Sequence, residues 1–226
     1  MCERDVSADL KGALKDKPKT EHRAAITDPI ELGELMNSID GYDGTPVVCA
    51  ALKLSALLFQ RPGEIRHMEW GEINWEDELW SIPAAKMKMD RDHMVPLSRQ
   101  SIEVLKDINR ITGSGIYVFP SQRGQSRPLS NNGVRTALRT MGYDNKAMSA
   151  HGFRATARTI LDEVHHVRVD YIEHQLAHAV KDATGRAYNR TKFLPERKQM
   201  MQRWADYLDE LRIHVGNNNI VPLRKV

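Results

Sequence analysis

The feature that most constrains the fold of this chain is the segment 46–59, PVVCAALKLSALLF, which is apolar on almost every side of a helix. Only Lys53 and Ser55 interrupt it. A helix that is apolar all round is stable only when other elements cover it, and this run is too short for a membrane span, which needs about 20 apolar residues. The segment therefore predicts the buried central helix of a globular domain, and 226 residues are enough for one large domain.

Apolar residues recur at helical spacing on both sides of this segment. Asp28 and Pro29 form an N-cap and first-turn pair ahead of a helix that continues to Ile39. Pro62 opens the next helix, and Ser98 is an N-cap candidate for another. Further helices are predicted at about residues 130–141, 151–164, 167–177, 182–190 and 194–213.

The hydrophobic period changes after Gly71. Residues 73–82 and 94–97 are rich in Ile, Val and Trp and predict two or three short strands. The Gly, Ser, Pro and Arg residues of the segment 121–130 predict a loop. The predicted fold class is mainly α with a small antiparallel β-sheet.

The two ends of the chain differ from its middle. Residues 1–27 are polar and charge-dense without apolar periodicity, which predicts a linker. We expect residues 28–213 to form the folded domain and residues 214–226 to form a C-terminal tail.

Basic residues are distributed unevenly. Lys and Arg number 33 against 30 for Asp and Glu, so the net charge is only +3. Between Ser121 and Ile160, however, seven basic residues stand against Asp144 alone, a net charge of +6. A phosphate-binding surface needs such clustering, although arginines scattered over a solvated face would give the same count.

Several common chemistries lack their sequence signatures. The chain has no phosphate-binding Gly-x-x-x-x-Gly-Lys-Ser/Thr loop, no Gly-x-Gly-x-x-Gly and no Gly-x-Ser-x-Gly. Cys2 and Cys49 are too few for a disulfide framework or a cysteine-based zinc site. His174 and His178 stand four apart, but Gln175 occupies the position where a zinc protease carries its glutamate base. We therefore expect no metal site, and a reducing, cytoplasmic location.

Residues able to bind and cleave a phosphodiester follow one another along the chain. His151 and Arg154 stand one helical turn apart, where both can bind one phosphate. Arg61 directly precedes a predicted helix, which would hold it rigidly. In chain order the candidates are Arg61 with Glu64, Lys88 or Lys86 at a predicted hairpin tip, His151, Arg154, His178 and Tyr188.

This order resembles the catalytic domain of the tyrosine recombinases, the phage and prophage integrase family, from about residue 28 to about residue 212. That family has an arginine ahead of a helix with a nearby acid, a hairpin lysine, His-x-x-Arg, a second histidine or tryptophan, and a nucleophilic tyrosine. Further stretches resemble its prophage-encoded branch, namely FQRPGE (59–64), VPLS (95–98), AYNR (187–190) and WADYL (204–208). Where the family commonly has Leu-Gly-His, this chain has Leu176-Ala177-His178, a change of one small residue for another that we expect to have little effect.

The resemblance implies DNA cleavage through a 3′-phosphotyrosine on Tyr188. It implies that Arg61 and Arg154 bind the non-bridging phosphate oxygens and that Lys88, or alternatively Lys86, protonates the leaving 5′ oxygen. The remaining roles are proton removal for His151, a phosphate hydrogen bond for His178 and bracing of an arginine for Glu64. Residues expected to contact DNA are Arg91, Arg123, Arg127, Asn131, Asn132 and Arg135, although the last three would serve equally as a helix-capping cluster.

The resemblance also implies partners. They are double-stranded DNA at attachment sites, further DNA-binding domains ahead of residues 1–27, and excision or host DNA-bending factors. We expect the chain alone to be monomeric and the full-length protein to be tetrameric on DNA, in the nucleoid, without cofactor, ATP, magnesium or membrane. The tail 214–226 is expected to dock on a neighbouring protomer.

Three alternatives compete with this interpretation. A type IB topoisomerase would use the same chemistry without a partner duplex. A catalytically inactive DNA-binding regulator would keep the fold. A helical interaction domain would match all six positions by coincidence.

Overall fold

The predicted central helix is present as α2 (Pro46–Leu58). Its leucines lie at the centre of the hydrophobic core, and Leu52, Leu54 and Leu58 have no exposed surface. Both polar interruptions are satisfied, because Lys53 forms a 2.6 Å ion pair with Asp40 and the Ser55 hydroxyl donates to a carbonyl in the preceding turn. A helix that is apolar all round can therefore be buried without leaving a polar group unpaired.

The computed structural model describes residues 24–178 and 193–216. Helix α2 is surrounded by α1 (Pro29–Asp40), α3 (Pro62–Arg66), α4 (Arg99–Thr112), α5 (Gly133–Thr140) and α8 (Leu194–Gly216). The other two helices are α6 (Gly152–Glu163) and α7 (Val169–Gln175). The predicted helix at residues 182–190 lies outside the described residues. Within the described ranges, every helix is too short or too polar to cross a membrane.

The predicted strands form an antiparallel meander of β1 (Ile73–Asn74), β2 (Leu79–Ile82) and β3 (His93–Pro96). Trp80 of β2 pairs with Val95 of β3, and both side chains are fully buried. The sheet packs against α8 through β3. The predicted fold class, mainly α with small antiparallel sheets, is thus confirmed.

The prediction of a loop at residues 121–130 is wrong. The segment contains a second hairpin, in which β4 (Pro120–Ser121) pairs with β5 (Gly124–Pro128). The side chains of this hairpin are largely exposed and show no apolar alternation. Pattern analysis detects strands by a buried face, so a strand held by backbone pairing alone gives no signal.

Helix α8 fastens the end of the described chain to the central helix. It runs along α1, and the indole of Trp204 donates to the Ala56 carbonyl at 3.0 Å while meeting the ring of Phe59 edge-on. At the other end, Ile26 is buried in the core and the Ala24 carbonyl accepts a hydrogen bond from the Ser149 hydroxyl. The two ends of the described fold are therefore packed against its middle.

Candidate active site

Arg61 is held at the N-terminus of α3, as its position before Pro62 predicts. Its backbone N–H donates to Glu64 Oε2 at 2.9 Å, and its Nη1 lies 2.7 Å from Glu64 Oε1. The carboxylate of Glu64 is buried, whereas about a fifth of the Arg61 side chain is exposed. Glu64 thus holds Arg61 through an ion pair on its buried side and leaves part of the arginine side chain accessible to a ligand.

Arg154 is buried on α6 and is fixed by two backbone carbonyls. Its Nη1 donates to Phe59 at 3.1 Å, and its Nη2 donates to Leu176 at 2.7 Å. Both carbonyls lie where a helix ends, because Phe59 is the C-cap of α2 and Leu176 is the C-cap of α7. Carbonyls at helix C-termini carry partial negative charge, so they are suited to a buried cation.

The two arginines lie close enough for their charges to interact. Burial and the positive charge of Arg61 lower the pKa of Arg154 to about 10, while Glu64 and Glu173 oppose this shift. A pKa of about 10 still leaves the guanidinium charged at neutral pH. Phe59, which holds Arg154, is only two residues from Arg61, so one turn of backbone positions both cations.

His178 joins this pair through Arg154. Its Nε2 lies 3.2 Å from Arg154 Nη2, and its Nδ1 lies 2.5 Å from Glu173 Oε2. The side chain of His178 is 43% exposed, so the ring borders solvent above the buried arginine. His151 is the N-cap of α6, is partly buried and precedes Arg154 by one turn.

The two candidate lysines lie in the connection between β2 and β3 and have different surroundings. The amine of Lys86 lies 2.6 Å from Glu69 and 2.5 Å from Glu72. Burial alone would lower the pKa of Lys86, but the hydrogen bonds to these carboxylates outweigh burial and raise the pKa. Lys88 is exposed, and its neighbours Met87 and Met89 line a small pocket together with Ala177 and His178. Lys86 is thus engaged by two carboxylates, whereas Lys88 is exposed, and the choice of Lys88 as the catalytic lysine stays a prediction from sequence.

Tyr188, the sequence-predicted nucleophile, lies outside the described residues. The tail 214–226 is described only as far as Gly216. Their roles remain predictions from sequence.

A buried polar layer beneath the site was not predicted. The backbone carbonyl of Gln175 accepts from Gln60 at 2.9 Å and contacts His93 Nε2 at 3.1 Å, while its side-chain oxygen accepts from Arg197 Nε at 3.1 Å. All four residues are at most 2% exposed. Burial lowers the pKa of His93 to about 3, and nearby arginines add to the shift. Gln60 directly precedes Arg61 in the sequence, but no local pattern distinguishes His93, Gln175 and Arg197 from polar residues on a surface.

Glu173 was also missed, although it contacts His178. The two are five positions apart, which would place them on different sides of a continuous helix. Among the described residues, no cluster of three His, Cys, Asp or Glu side chains suits a metal ion.

The predicted DNA contacts lie on exposed surface. Arg123 and Arg127 project from the β4–β5 hairpin, and with Asn132 they line a cleft that also includes Thr45, the N-cap of α2, and Val48. Asn132 sits at the N-cap of α5 without a side-chain cap hydrogen bond, which removes the capping explanation for this residue. The remaining candidates, Arg91, Asn131 and Arg135, are likewise exposed.

Comparison with known proteins identifies the family of this chain. Residues 28–194 match the model of the phage integrase family. The integrase of Enterobacteria phage P4 is 37% identical over 217 residues, covering 90% of this chain and 49% of the relative. Prophage integrase IntZ of Escherichia coli K12 is 38% identical over 220 residues, covering 97% and 52%. The chain thus spans about half the length of these curated relatives.

Solved structures share the fold at low sequence identity. The integrase from mycobacterium phage Brujita superposes with a TM-score of 0.61 at 13% identity, covering 87% of this chain and 65% of that one. A lambda integrase dimer bound to a COC′ core site gives a TM-score of 0.56 at 18% identity, covering 78% and 53%. The sequence resemblance to tyrosine recombinases is therefore confirmed by family model, relatives and fold alike. The chain belongs to the phage integrase family of tyrosine recombinases.

Proposed function

We propose that this chain is the catalytic part of a site-specific DNA recombinase that integrates or excises a prophage or genomic island. The observation that carries the proposal is the convergence of Arg61, Arg154 and His178 from three separate helical regions. Two guanidinium groups beside one imidazole match the charge and hydrogen-bond needs of a single phosphodiester.

The proposed reaction is a transesterification. The phenolic oxygen of Tyr188 bonds to phosphorus, the bond from phosphorus to the 5′ oxygen breaks, and a 3′-phosphotyrosine and a 5′-hydroxyl result. His151 accepts the phenolic proton, and Lys88 supplies a proton to the 5′ oxygen. Rejoining reverses these steps with the 5′-hydroxyl of a partner duplex.

The two arginines stabilise the negative charge that develops on the non-bridging phosphate oxygens. Arg154 is already fixed by the carbonyls of Phe59 and Leu176, so its geometry needs little reorganisation when a phosphate binds. Preorganised donors of this kind supply the largest electrostatic contribution, and losing one costs about 10² to 10³ in rate. His178, above Arg154, adds a third contact to the phosphate.

The DNA duplex would lie across the exposed basic surface that includes Arg91, Arg123, Arg127 and Arg135. Phosphate contacts there would supply affinity, while Asn131 and Asn132 would reach base edges. We infer that the chain alone is monomeric and that the longer protein works as a tetramer on DNA, as the lambda integrase tetramer bound to a Holliday junction does. Further DNA-binding domains ahead of residues 1–27, and excision or DNA-bending factors, complete the proposed machinery in the nucleoid.

Covalent trapping on a library of nicked duplexes of varied sequence tests this function and identifies the attachment site in the same experiment. Cleavage beside a nick releases a short strand, so rejoining fails and the protein remains attached to DNA under denaturing conditions. We expect an adduct for the wild-type chain, none for Tyr188→Phe, and recovered DNA that shares one core sequence.

Each alternative has its own outcome in this assay. DNA binding without an adduct in the wild-type chain would leave the inactive regulator. Adducts at unrelated sequences, with relaxation of a supercoiled plasmid by the chain alone, would identify a topoisomerase. Either result would overturn the proposed recombination.

A further inference from the structure

Glu173 connects the proposed phosphate-binding residues to the body of the domain. Its Oε2 lies 2.5 Å from His178 Nδ1, and its Oε1 accepts from Arg158 Nε at 2.9 Å. Burial would raise the pKa of Glu173, but the hydrogen bonds from His178 and Arg158 outweigh burial and hold the pKa below its ordinary value. The carboxylate is therefore ionised and engaged through both oxygens.

The end of α7 brings these two residues together. The backbone N–H of His178 donates to the Glu173 carbonyl at 3.0 Å, and that of Ala177 donates to His174 at 3.1 Å. Ala177 has a φ of +50°, in the left-handed region. This is the Schellman arrangement of a helix C-terminus, which reverses the chain and returns His178 over the last turn. The backbone thus fixes the His178 Cα beside Glu173 before any side-chain contact forms.

Two contacts bear on which ring nitrogen of His178 carries the proton, and the contact with Glu173, at 2.5 Å, is shorter than the contact with Arg154, at 3.2 Å. A guanidinium can only donate, so Nε2, 3.2 Å from Arg154 Nη2, is the acceptor. The neutral ring consequently carries its hydrogen on Nδ1 and donates it to Glu173. Hydrogen-bond donation therefore runs from Arg154, at the proposed phosphate site, through His178 to Glu173.

We propose that Glu173 is a positioning residue that fixes the orientation and Nδ1–H tautomer of His178, so that the Nε2 edge faces the scissile phosphate. This inference rests on the proposed function. Only a ring that carries a proton on both nitrogens can donate from Nδ1 to Glu173 and from Nε2 to a phosphate oxygen at the same time. Glu173 balances the charge of the ring, and the other charged groups around it are Arg154, Arg158, Arg91 and Asp92.

A purely structural role explains these contacts less well. The ion pair of Glu173 with Arg158 connects α7 to α6, but the Arg158 side chain is 45% exposed. An exposed ion pair contributes only about 0 to 1 kcal/mol to the stability of a fold, so stability alone gives little reason for Glu173 to occupy this position. Arg158 also has a second carboxylate partner, Asp162, at 3.9 Å.

The first test determines which ring nitrogen of His178 carries the proton. Long-range ¹⁵N–¹H correlation spectra of the ¹⁵N-labelled chain, with His178 assigned by its loss in His178→Asn, should show a neutral ring protonated on Nδ1. Glu173→Ala should convert it to a mixture of tautomers. A wild-type ring protonated on Nε2, or a ring unchanged in Glu173→Ala, would overturn the proposal.

The second test measures covalent-complex formation on the trapped DNA. Glu173→Ala should slow the reaction by about 10- to 100-fold, the usual cost of losing the carboxylate that orients a working histidine, with DNA affinity unchanged. Glu173→Gln keeps an acceptor oxygen for Nδ1–H and should recover most of that loss. Asp162→Asn is the matched control, because it removes an Arg158 partner and leaves His178 untouched.

The outcomes separate the two proposals. Wild-type rates for Glu173→Ala, or equal slowing by Asp162→Asn, would reject the positioning role. If the wild-type chain forms no adduct, the proposed function fails, and the ring spectra still decide whether Glu173 orients His178.

Discussion

Arg154 donates a hydrogen bond to the backbone carbonyl of Phe59, 95 residues earlier in the chain. Phe59 has a φ of +42°, so the chain turns at the end of α2 and presents this carbonyl towards α6. The same turn leads directly into Arg61 and α3. One contact therefore fixes the relative position of the two arginines, and it makes Arg154 important for stability as well as for phosphate binding.

Substitution of the two arginines by lysine should separate these roles. Arg154→Lys leaves at least one of the carbonyls of Phe59 and Leu176 without its donor, which should lower the free energy of unfolding by about 1 to 3 kcal/mol. Arg61→Lys keeps the charge beside Glu64 and should change stability by less than about 1 kcal/mol, because a lysine can still form the ion pair. Urea denaturation measures both, and equal losses would contradict the assigned difference.

The two lysines of the β2–β3 connection should respond in opposite ways. Lys86→Met leaves the buried Glu72, which also accepts from the Trp80 indole at 2.9 Å, without its cation, and should destabilise the fold by about 1 to 3 kcal/mol. Lys88→Met should leave stability within about 0.5 kcal/mol and slow covalent-complex formation by about 10² to 10⁴, as expected for a lost general acid. Thermal melts measure the expected loss of stability in Lys86→Met, and trapping rates on the same preparations measure the expected loss of rate in Lys88→Met.

Ala177 should tolerate glycine but not a branched side chain. A non-glycine residue in the left-handed region costs about 1 to 2 kcal/mol, but Ala177→Gly also loses a buried methyl group and gains unfolded-state entropy, so the net change should be below about 0.5 kcal/mol. Ala177→Val should destabilise by about 2 kcal/mol, because β-branching is poorly accommodated at positive φ. Ala155→Val, at an exposed position of α6, is the control and should cost only a few tenths of a kcal/mol.

Burial of His93 should make the fold sensitive to mild acid. The folded chain does not protonate His93 until about pH 3, whereas the unfolded chain does so near the ordinary pKa of 6.5. The unfolded state therefore binds the extra proton, and the free energy of unfolding falls by about 1.4 kcal/mol per pH unit as the pH drops below 6.5. His93→Gln should flatten this dependence in urea titrations between pH 6.5 and 4, whereas His166→Asn, at an exposed site, should not.

The basic hairpin should bind DNA through its charge. Arg127 is exposed and has no carboxylate partner within the described ranges. Arg127→Ala should weaken binding to any duplex and reduce the slope of log affinity against log salt by about 0.9, the value for one phosphate contact. Arg110→Ala, at an exposed position of α4 beside Asp107, should leave the slope unchanged. Fluorescence anisotropy at several salt concentrations measures both, and equal slopes would exclude Arg127 from the interface.

The sequence predicted most of the helices because their determinants are local. Asp28 accepts hydrogen bonds from two backbone N–H groups of α1, and Ser98 accepts one from Ser101, as the cap residues indicated. The Ile, Val and Trp residues after Gly71 likewise indicated the β1–β3 meander, in which β2 and β3 are mostly buried. The β4–β5 hairpin was missed because neither of its faces is buried in this way.

The sequence alone identified the candidates for phosphate chemistry through residue types and their order along the chain: Arg61, Lys88, His151, Arg154, His178 and Tyr188. Only the tertiary structure decided which contacts hold Arg61, Arg154 and His178 in position. The carbonyls of Phe59 and Leu176, the buried layer around Gln175, and the pairing of Glu173 with His178 depend on where helices end and on which ends meet. Such contacts join residues that share no local pattern, because chain reversals at positive φ and packing around α2 bring them together. A one-dimensional sequence pattern carries no record of that geometry.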